Sequence, residues 1–223
     1  MWLVSNFEKT QLPTGWGVEQ QITCVDGSTF QMYMANMKSI FMDMIKNTDM
    51  VIFNRCKKED PLPTYRRGIK VANQRAEVIF EDEEGELGDI FQDEMPFDMN
   101  APVIEILPED YGIWFVDAMD HPENYEGKTV KFKARVMKPR GMGSKFFVPG
   151  RTAMTCCADD TTFLGYVCKS AYAPKLTPGE WVEVTAKVGI EKRNEYQGEE
   201  GIVLDAEHVE QCDPLEDEMV YFN

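Results

Sequence analysis

From residue 127 onward, apolar and polar positions alternate with a period of two residues. In the first such stretch, Val130, Phe132, Ala134 and Val136 alternate with charged side chains, as in a strand buried on one face. The same pattern predicts strands at 127–136, 145–157, 163–168, 181–190 and 201–209. Because the second is long and contains the bend signal Pro149-Gly150, the five strands predict a small, partly open barrel of the OB type, in the order 1-2-3-4-5.

The first eighty residues have a mixed pattern. Strands are predicted at 16–24 and 29–34, joined by a hairpin because Asp26-Gly27 is a turn signal. Apolar residues then recur at helical spacing from Met37 to Ile45, which predicts a short amphipathic helix. Further strands are predicted at 50–53 and 68–80, so this part is a small α+β unit.

A bridging stretch at 102–125 leads into the barrel. It predicts a short strand at 102–106 and a helix that starts at Pro108, with two acids in its first turn. The predicted fold class is therefore mainly β (α+β): a small α+β unit at 1–80, an acidic linker at 81–101, and a five-stranded OB-like barrel at 102–223 with a short leading helix.

Charge narrows the range of partners. The 223 residues carry a formal net charge of −16, and residues 77–125 contain sixteen acids and neither Lys nor Arg. Such an excess makes nucleic acid an improbable main partner and disfavours docking on anionic lipid. No apolar run approaches the roughly 20 residues of a membrane span, so no direct membrane insertion is expected. The start lacks a signal-peptide pattern, and the expected location is cytoplasmic, or extracytoplasmic if a signal or anchor was removed.

The most distinctive stretch is 150–160, Gly-Arg-Thr-Ala-Met-Thr-Cys-Cys-Ala-Asp-Asp. Together with 103–106, 124–128 and 181–184, it resembles a bacterial family of two-component membrane permease subunits, over roughly residues 100–223. The soluble C-terminal domain of that family has no established biochemical role. The resemblance implies a protein partner, a membrane permease. Family members usually begin with membrane helices, whereas this chain begins with an α+β unit, which implies a soluble relative that reuses the domain.

The six cysteines allow three interpretations. They could pack as small apolar residues, form a redox or disulfide pair, or hold a soft metal such as zinc or copper. A turn centred between Thr162 and Phe163 would set Cys157 opposite Cys168. The candidate metal ligands are Cys156, Cys157, Cys168, His208 and Cys212. No cofactor is expected unless that site binds zinc or copper.

A basic and aromatic cluster surrounds the glycine-rich stretch 141–144. Its candidate partner-binding residues are Arg135, Arg140, Lys145, Phe147 and Arg151. OB barrels use such faces for oligonucleotides, but the barrel region has a net charge close to neutral, and an acidic protein partner fits at least as well. The leading hypothesis is a non-enzymatic binding or assembly module, a soluble accessory subunit related to permease-associated proteins. The alternatives are a thiol-based metal-binding module and a weak single-stranded nucleic-acid binder.

Overall fold

The computed structural model describes residues 12–88, 95–157 and 160–221, with only the backbone of Cys156 and Cys157. These residues form two compact units. The first contains 12–88 with 155–157 and 160–161, and the second contains 95–154 and 162–221. Each unit has its own core of buried apolar residues. No helix in these described ranges is long and apolar enough to cross a membrane.

The first unit is a three-stranded parallel sheet whose strands are connected by helices. The strands are β1 (Ile22–Asp26), β2 (Met50–Asn54) and β3 (Glu77–Phe80), in the order β1-β2-β3. Helix α1 (Gly27–Ile45) joins the first two strands, and α2 (Leu62–Ala72) joins the last two. Aromatic rings fill the core between helices and sheet. The ring of Phe53 lies 5.0 Å from that of Phe30 and 4.8 Å from that of Phe80.

The predicted hairpin at Asp26-Gly27 is wrong, because these residues begin α1. The Asp26 side chain accepts a hydrogen bond from the Ser28 backbone N–H at 3.1 Å, as an N-cap residue does. Gly27 is required by close packing: a Cβ there would lie 2.7 Å from the Cys56 sulfur. The predicted strand at 29–34 is consequently the first part of α1, and the helical pattern from Met37 continues it past a kink at that residue.

Two other predicted strands of the first unit are shorter than expected. Of the stretch 16–24, only Ile22 onward is strand, and of 68–80 only Glu77–Phe80 is, because residues up to Ala72 belong to α2. The acidic run that follows begins with a tight turn closed by a bridge between Glu81 and Glu86. Leu87 is buried in the core of this unit.

The second unit contains a closed five-stranded barrel, which confirms the predicted OB-like class. Its strands are β5 (Thr129–Met137), β6 (Phe146–Cys157), β8 (Val167–Lys169), β9 (Trp181–Lys192) and β10 (Glu200–Gln211). They pair in the circular order β5-β6-β8-β10-β9-β5. The predicted order 1-2-3-4-5 is therefore wrong: the fifth barrel strand lies between the third and the fourth, parallel to β8 and antiparallel to β9.

Three short strands extend this sheet outside the closed ring. They are β4 (Ile104–Glu105), which pairs with β5, β7 (Asp160–Gly165), which pairs with β6, and β11 (Met219–Val220), which also pairs with β6. The start of the leading helix was predicted at Pro108. A single 3-10 turn at Pro108–Asp110 precedes helix α3 (Tyr111–Asp120).

Helix α3 contributes an aromatic cluster to the barrel core. The Trp114 ring lies 4.8 Å from that of Phe132 on β5, and Phe115 stacks on Tyr166 at 4.8 Å. The buried hydroxyls in this cluster have partners: Tyr111 donates to the Leu164 carbonyl at 3.0 Å, and Tyr166 to the Phe115 carbonyl at 2.5 Å. These bonds fix the helix to the strands around it.

Candidate functional site

A groove of about 510 Å³ lies on the barrel between two strand-connecting loops. One loop, residues 138–145, joins β5 to β6, and the other, residues 193–199, joins β9 to β10. OB folds hold their ligands between these two loops. The residues that line the groove are Pro139, Arg140, Gly141, Met142, Lys192, Arg193, Asn194 and Glu195.

The loop at 193–199 is held in one conformation by Tyr196. The Tyr196 hydroxyl donates to the Ile202 carbonyl at 2.5 Å and accepts from the Val167 backbone N–H at 3.1 Å. Gly201 leaves room for the ring, since a Cβ there would lie 2.7 Å from it. The loop is thereby bonded to both β8 and β10, and it presents a preformed wall to the groove.

Arg193 forms one side of the groove and is already paired. Its guanidinium lies over the Phe146 ring, 4.4 Å from the centroid, and donates to the Glu195 carboxylate at 3.0 and 3.2 Å. The hydrogen bond from Arg193 lowers the pKa of Glu195, and the same bond raises the pKa of Arg193. The pair is therefore charged over the whole physiological pH range, and it shapes the groove without adding net charge.

Accessible positive charge comes from the two other cations that line the groove. Arg140 is exposed at the tip of its loop. The Lys192 side chain is 71% exposed and lies 3.9 Å from a Glu200 carboxylate oxygen, a distance at which a solvated ion pair is weak. Guanidinium and ammonium groups at the rim of a preformed groove are suited to carboxylates or phosphates.

Three of the five predicted partner-binding residues are exposed, and two are not. Arg140 lines the groove, Lys145 is exposed in the same loop, and Arg135 is exposed on β5 with its Nε bonded to the Gly179 carbonyl at 3.0 Å. Phe147 and Arg151, however, are 0% and 2% exposed. Their inclusion in a surface patch was wrong.

The burial of Phe147 and Arg151 has a structural reason. Successive strand residues point to opposite faces, so Phe146 lies outside under Arg193 while Phe147 enters the core. The Arg151 guanidinium donates to the Pro108 carbonyl and to those of Asp217 and Met219, the latter two at 3.0 Å. It fixes the last strand, β11, to β6 and is a structural residue.

Lys192 and Arg193 were not among the predicted partner-binding residues. The available signal was their position: they follow the fourth predicted barrel strand, and in an OB barrel the loop after that strand borders the ligand site. Lys138, in the loop before Arg140, does not add a free positive charge to the groove. Its ammonium donates to the Ala173 and Leu176 carbonyls, both at 2.6 Å, so it closes a short 3-10 helix.

The predicted metal ligands are only partly described. The side chains of Cys156 and Cys157 lie outside the described residues. Cys168 is fully buried and pairs with Phe147 on one side and Leu204 on the other. The expected pairing of Cys157 with Cys168 is wrong, because β7 starts at Asp160 and the chain then turns back, so that β8 meets the beginning of β6.

The remaining two predicted ligands are near the end of β10. His208 is exposed, and its Nε2 lies 3.3 Å from the Glu210 Oε2. Cys212 is half-buried and follows the end of the strand. Burial raises the pKa of Cys168 far above the usual thiol range, so its sulfur is a protonated core atom. Among the side chains that the structure describes, no three His, Cys, Asp or Glu residues are grouped closely enough to hold a metal ion.

Solved structures similar to this chain include single-stranded DNA-binding proteins. The mitochondrial single-stranded DNA-binding protein Rim1 from S. cerevisiae is 10% identical, with a TM-score of 0.23 over 39% of this chain and 95% of that chain. A deletion mutant of the Thermus aquaticus single-stranded DNA-binding protein is 16% identical, with a TM-score of 0.23 over 40% and 42%. Aspartyl tRNA synthetase from Entamoeba histolytica is 13% identical, with a TM-score of 0.27 over 53% and 27%. Likenesses this low carry no argument about function.

The family comparison is more informative. No curated protein matches the chain. A family model described as the DUF1980 C-terminal domain matches residues 86–222, which include the whole barrel, both groove loops and β11. Because the match covers more than half of the sequence, the chain belongs to the family of the DUF1980 C-terminal domain.

Proposed function

We propose that this protein is a non-enzymatic binding module whose barrel holds an acidic segment of a partner protein in the groove between loops 138–145 and 193–199. The observation that carries the proposal is the position of Arg140 and Lys192. They bring accessible positive charge to a preformed groove on a chain of net charge −16. Most of this negative charge lies at 77–125 and the barrel region is close to neutral, so the groove is a place where carboxylates gain ion pairs.

An acidic peptide fits this groove better than a single nucleic-acid strand. OB folds that bind single strands stack bases on accessible aromatic rings along a basic path. At the groove, the Phe146 ring is covered by the Arg193 guanidinium. On the same unit, the exposed Tyr172 ring has the Lys175 ammonium 5.1 Å from its centroid. With Arg193 paired to Glu195, the groove also presents few cations for phosphates.

The partner we propose is a membrane permease, for which this chain serves as an accessory subunit. Support comes from the resemblance of 150–160 and the surrounding strands to permease subunits. An acidic loop or terminus of the permease would enter the groove, while the buried Arg151 keeps the end of the chain attached to the barrel. The metal-dependent alternative makes a different prediction, namely a function that survives loss of the groove charge.

Peptide binding tests the proposal directly. A fluorescein-labelled peptide rich in Glu and Asp is titrated with the protein, and fluorescence anisotropy is followed at low and at physiological salt. Binding is expected, with an affinity that falls as salt rises. The variant Arg140→Glu/Lys192→Glu should lower the affinity at least about tenfold, or about 1.4 kcal/mol.

The control variant is Lys187→Glu, which reverses an exposed charge on β9 outside the groove and should keep the affinity. An oligothymidylate probe and a zinc titration run in parallel. If the protein binds the oligonucleotide through Arg140 and Lys192 but not the peptide, the nucleic-acid alternative replaces the proposal. Zinc binding that Cys168→Ser abolishes would support the thiol-based alternative.

A further inference from the structure

The first unit has an open sheet edge next to an apolar helix stripe. Among the described strands, β1 pairs only with β2, so its other side is unpaired. The α1 side chains Tyr33, Met37, Ile40 and Met44 are 37–44% exposed. Together with residues 23–26 of β1 and Phe41 they line a groove of about 250 Å³. Edge and stripe therefore form one continuous surface.

Strand β1 itself contains neither proline nor lysine nor a bulge, which are features that keep sheet edges apart. Natural edge strands are protected by proline, lysine, bulges or covering loops. Strand β1, Ile-Thr-Cys-Val-Asp, contains neither proline nor lysine, and its pairing with β2 has no bulge. Its charged residue, Asp26, is at the strand's end and is bonded to Arg55 at 2.6 Å. Unpaired backbone groups beside exposed apolar side chains favour the addition of another strand.

We propose that this surface binds a second copy of the same chain, with the two β1 strands antiparallel across a two-fold axis. Paired strands lie about 4.8 Å apart. Because α1 contacts both β1 and β2, it lies over the space between them, about half a strand spacing inside the edge. The two α1 axes are then about 10 Å apart, which is the distance at which helices pack.

Charge is compatible with this symmetry. Residues near a two-fold axis lie close to the same residues of the other copy. A charged stripe at the axis would therefore repel the stripe of the second chain. The stripe on α1 contains no charged side chain. A pairing centred on Cys24, the middle residue of β1, sets Asp26 of one copy opposite Ile22 of the other. It also sets the two exposed Cys24 side chains opposite one another on one face of the sheet.

Light scattering after size exclusion tests the inference on the full chain, and it does not involve the barrel groove. The expected mass is twice 25.6 kDa. Ile40→Glu, at a residue that is 44% exposed and lines the groove, should raise the dimer dissociation constant about tenfold or more, because it puts a carboxylate from each copy into the apolar contact. Met32→Glu is the matched control, since Met32 is 56% exposed on α1 but does not line the groove. It should leave the constant within about twofold.

Cross-linking tests the register. Diamide, which takes up the two thiol hydrogens as a disulfide forms, should join two chains through Cys24, and Cys24→Ser should remove this product while the dimer mass persists. Circular dichroism verifies that each variant is folded. A monomer at every concentration up to millimolar overturns the inference, as does a dimer that Ile40→Glu leaves intact or cross-linking that Cys24→Ser leaves unchanged.

Discussion

The two units differ in how they treat the edges of their sheets. The barrel pairs its first strand, β5, with both β6 and β9, so the ring closes, and its buried tyrosine hydroxyls bond to carbonyls. Among the described strands of the first unit, β1 pairs only with β2, and a row of apolar side chains is exposed beside it. Closure makes the barrel a rigid support whose loops can carry a binding site, whereas the open sheet offers its backbone for further pairing.

The barrel unit contains a very close contact between strands at Gly150. Gly150→Ala should therefore lower the free energy of unfolding more than any other change considered below. A Cβ at Gly150 would lie 2.3 Å from the Leu164 carbonyl oxygen and 2.4 Å from the Phe163 ring. Because relief of this contact would require β7 to separate from β6, with which it pairs, we expect a loss of about 3 kcal/mol or more in the free energy of unfolding. Denaturant titration followed by tryptophan fluorescence measures it through Trp114 and Trp181, both in the barrel unit.

The matched control is Gly189→Ala in β9. A Cβ there meets its nearest neighbour, the Val203 carbonyl oxygen, at 3.7 Å, an ordinary contact, so stability should change by less than about 0.5 kcal/mol. Equal destabilisation by both alanines would contradict the claim that the unit depends on the tight approach of β6 and β7 at Gly150.

A smaller loss is expected from Tyr166→Phe. The change removes a buried hydroxyl and the hydrogen bond that it donates to the Phe115 carbonyl, at a cost of about 2 kcal/mol. Tyr172→Phe, on a ring that is 55% exposed, is the control and should be close to neutral. The same denaturant titration measures both variants. If Tyr166→Phe left the free energy of unfolding unchanged, the buried hydrogen bond of Tyr166 would not stabilise the barrel.

In the first unit, Gly27→Ala should cost about 1 kcal/mol, less than at Gly150. The nearest atom to the added methyl is the Cys56 sulfur at 2.7 Å, followed by the Asn54 carbonyl oxygen at 3.0 Å. Cys56→Ala removes this sulfur. It should therefore offset part of the cost of Gly27→Ala in a double-mutant cycle. Strict additivity of the two changes, measured by thermal unfolding, would show that Cys56 is not the obstacle.

The smallest effect concerns the start of α1. Hydrogen bonds from the Ser28 hydroxyl and then from Arg55 hold the pKa of Asp26 below its ordinary value of 3.8. A carboxyl with a lowered pKa in the folded state stabilises the fold above its unfolded pKa, and this contribution is lost as pH falls through the folded pKa. Stability measured from pH 6 down to the acid range should therefore fall less in Asp26→Asn than in the parent chain. Parallel curves would contradict the role of Asp26 as a charged cap.

The same contrast explains what sequence could predict. Apolar and polar residues alternate in β5, β9 and β10, so the existence and approximate limits of these strands followed from the pattern. The prediction of one strand at 163–168 was wrong, because this stretch contains the end of β7 and the start of β8. The order of the barrel strands did not follow from the pattern, because the pairing of β8 with β10 depends on contacts distant in sequence. In the first unit, the local sequence Asp26-Gly27 favours a hairpin. Helix α1 forms there instead because its apolar residues pack in the core beside β2 and Gly27 packs against Cys56.

The groove was predictable only in part. Arg140 stood out because basic residues cluster around a glycine-rich loop, whereas Lys192 and Arg193 required knowledge of which loops meet in space. Phe147 and Arg151 were misassigned because composition does not distinguish the inner face of a strand from its outer face. Arg151, buried with three carbonyl partners, is an exception to the rule that charged residues lie outside.

Photo-cross-linking from the groove in intact cells tests the central claim most directly. A benzophenone amino acid replaces Met142, which lines the groove, and a second version carries it at the exposed control position 187. The account predicts that position 142, but not 187, cross-links to an acidic segment of a polytopic membrane protein, identified by mass spectrometry of the joined peptides. Cross-links from 142 to nucleic acid, or the same products from both positions, would contradict it.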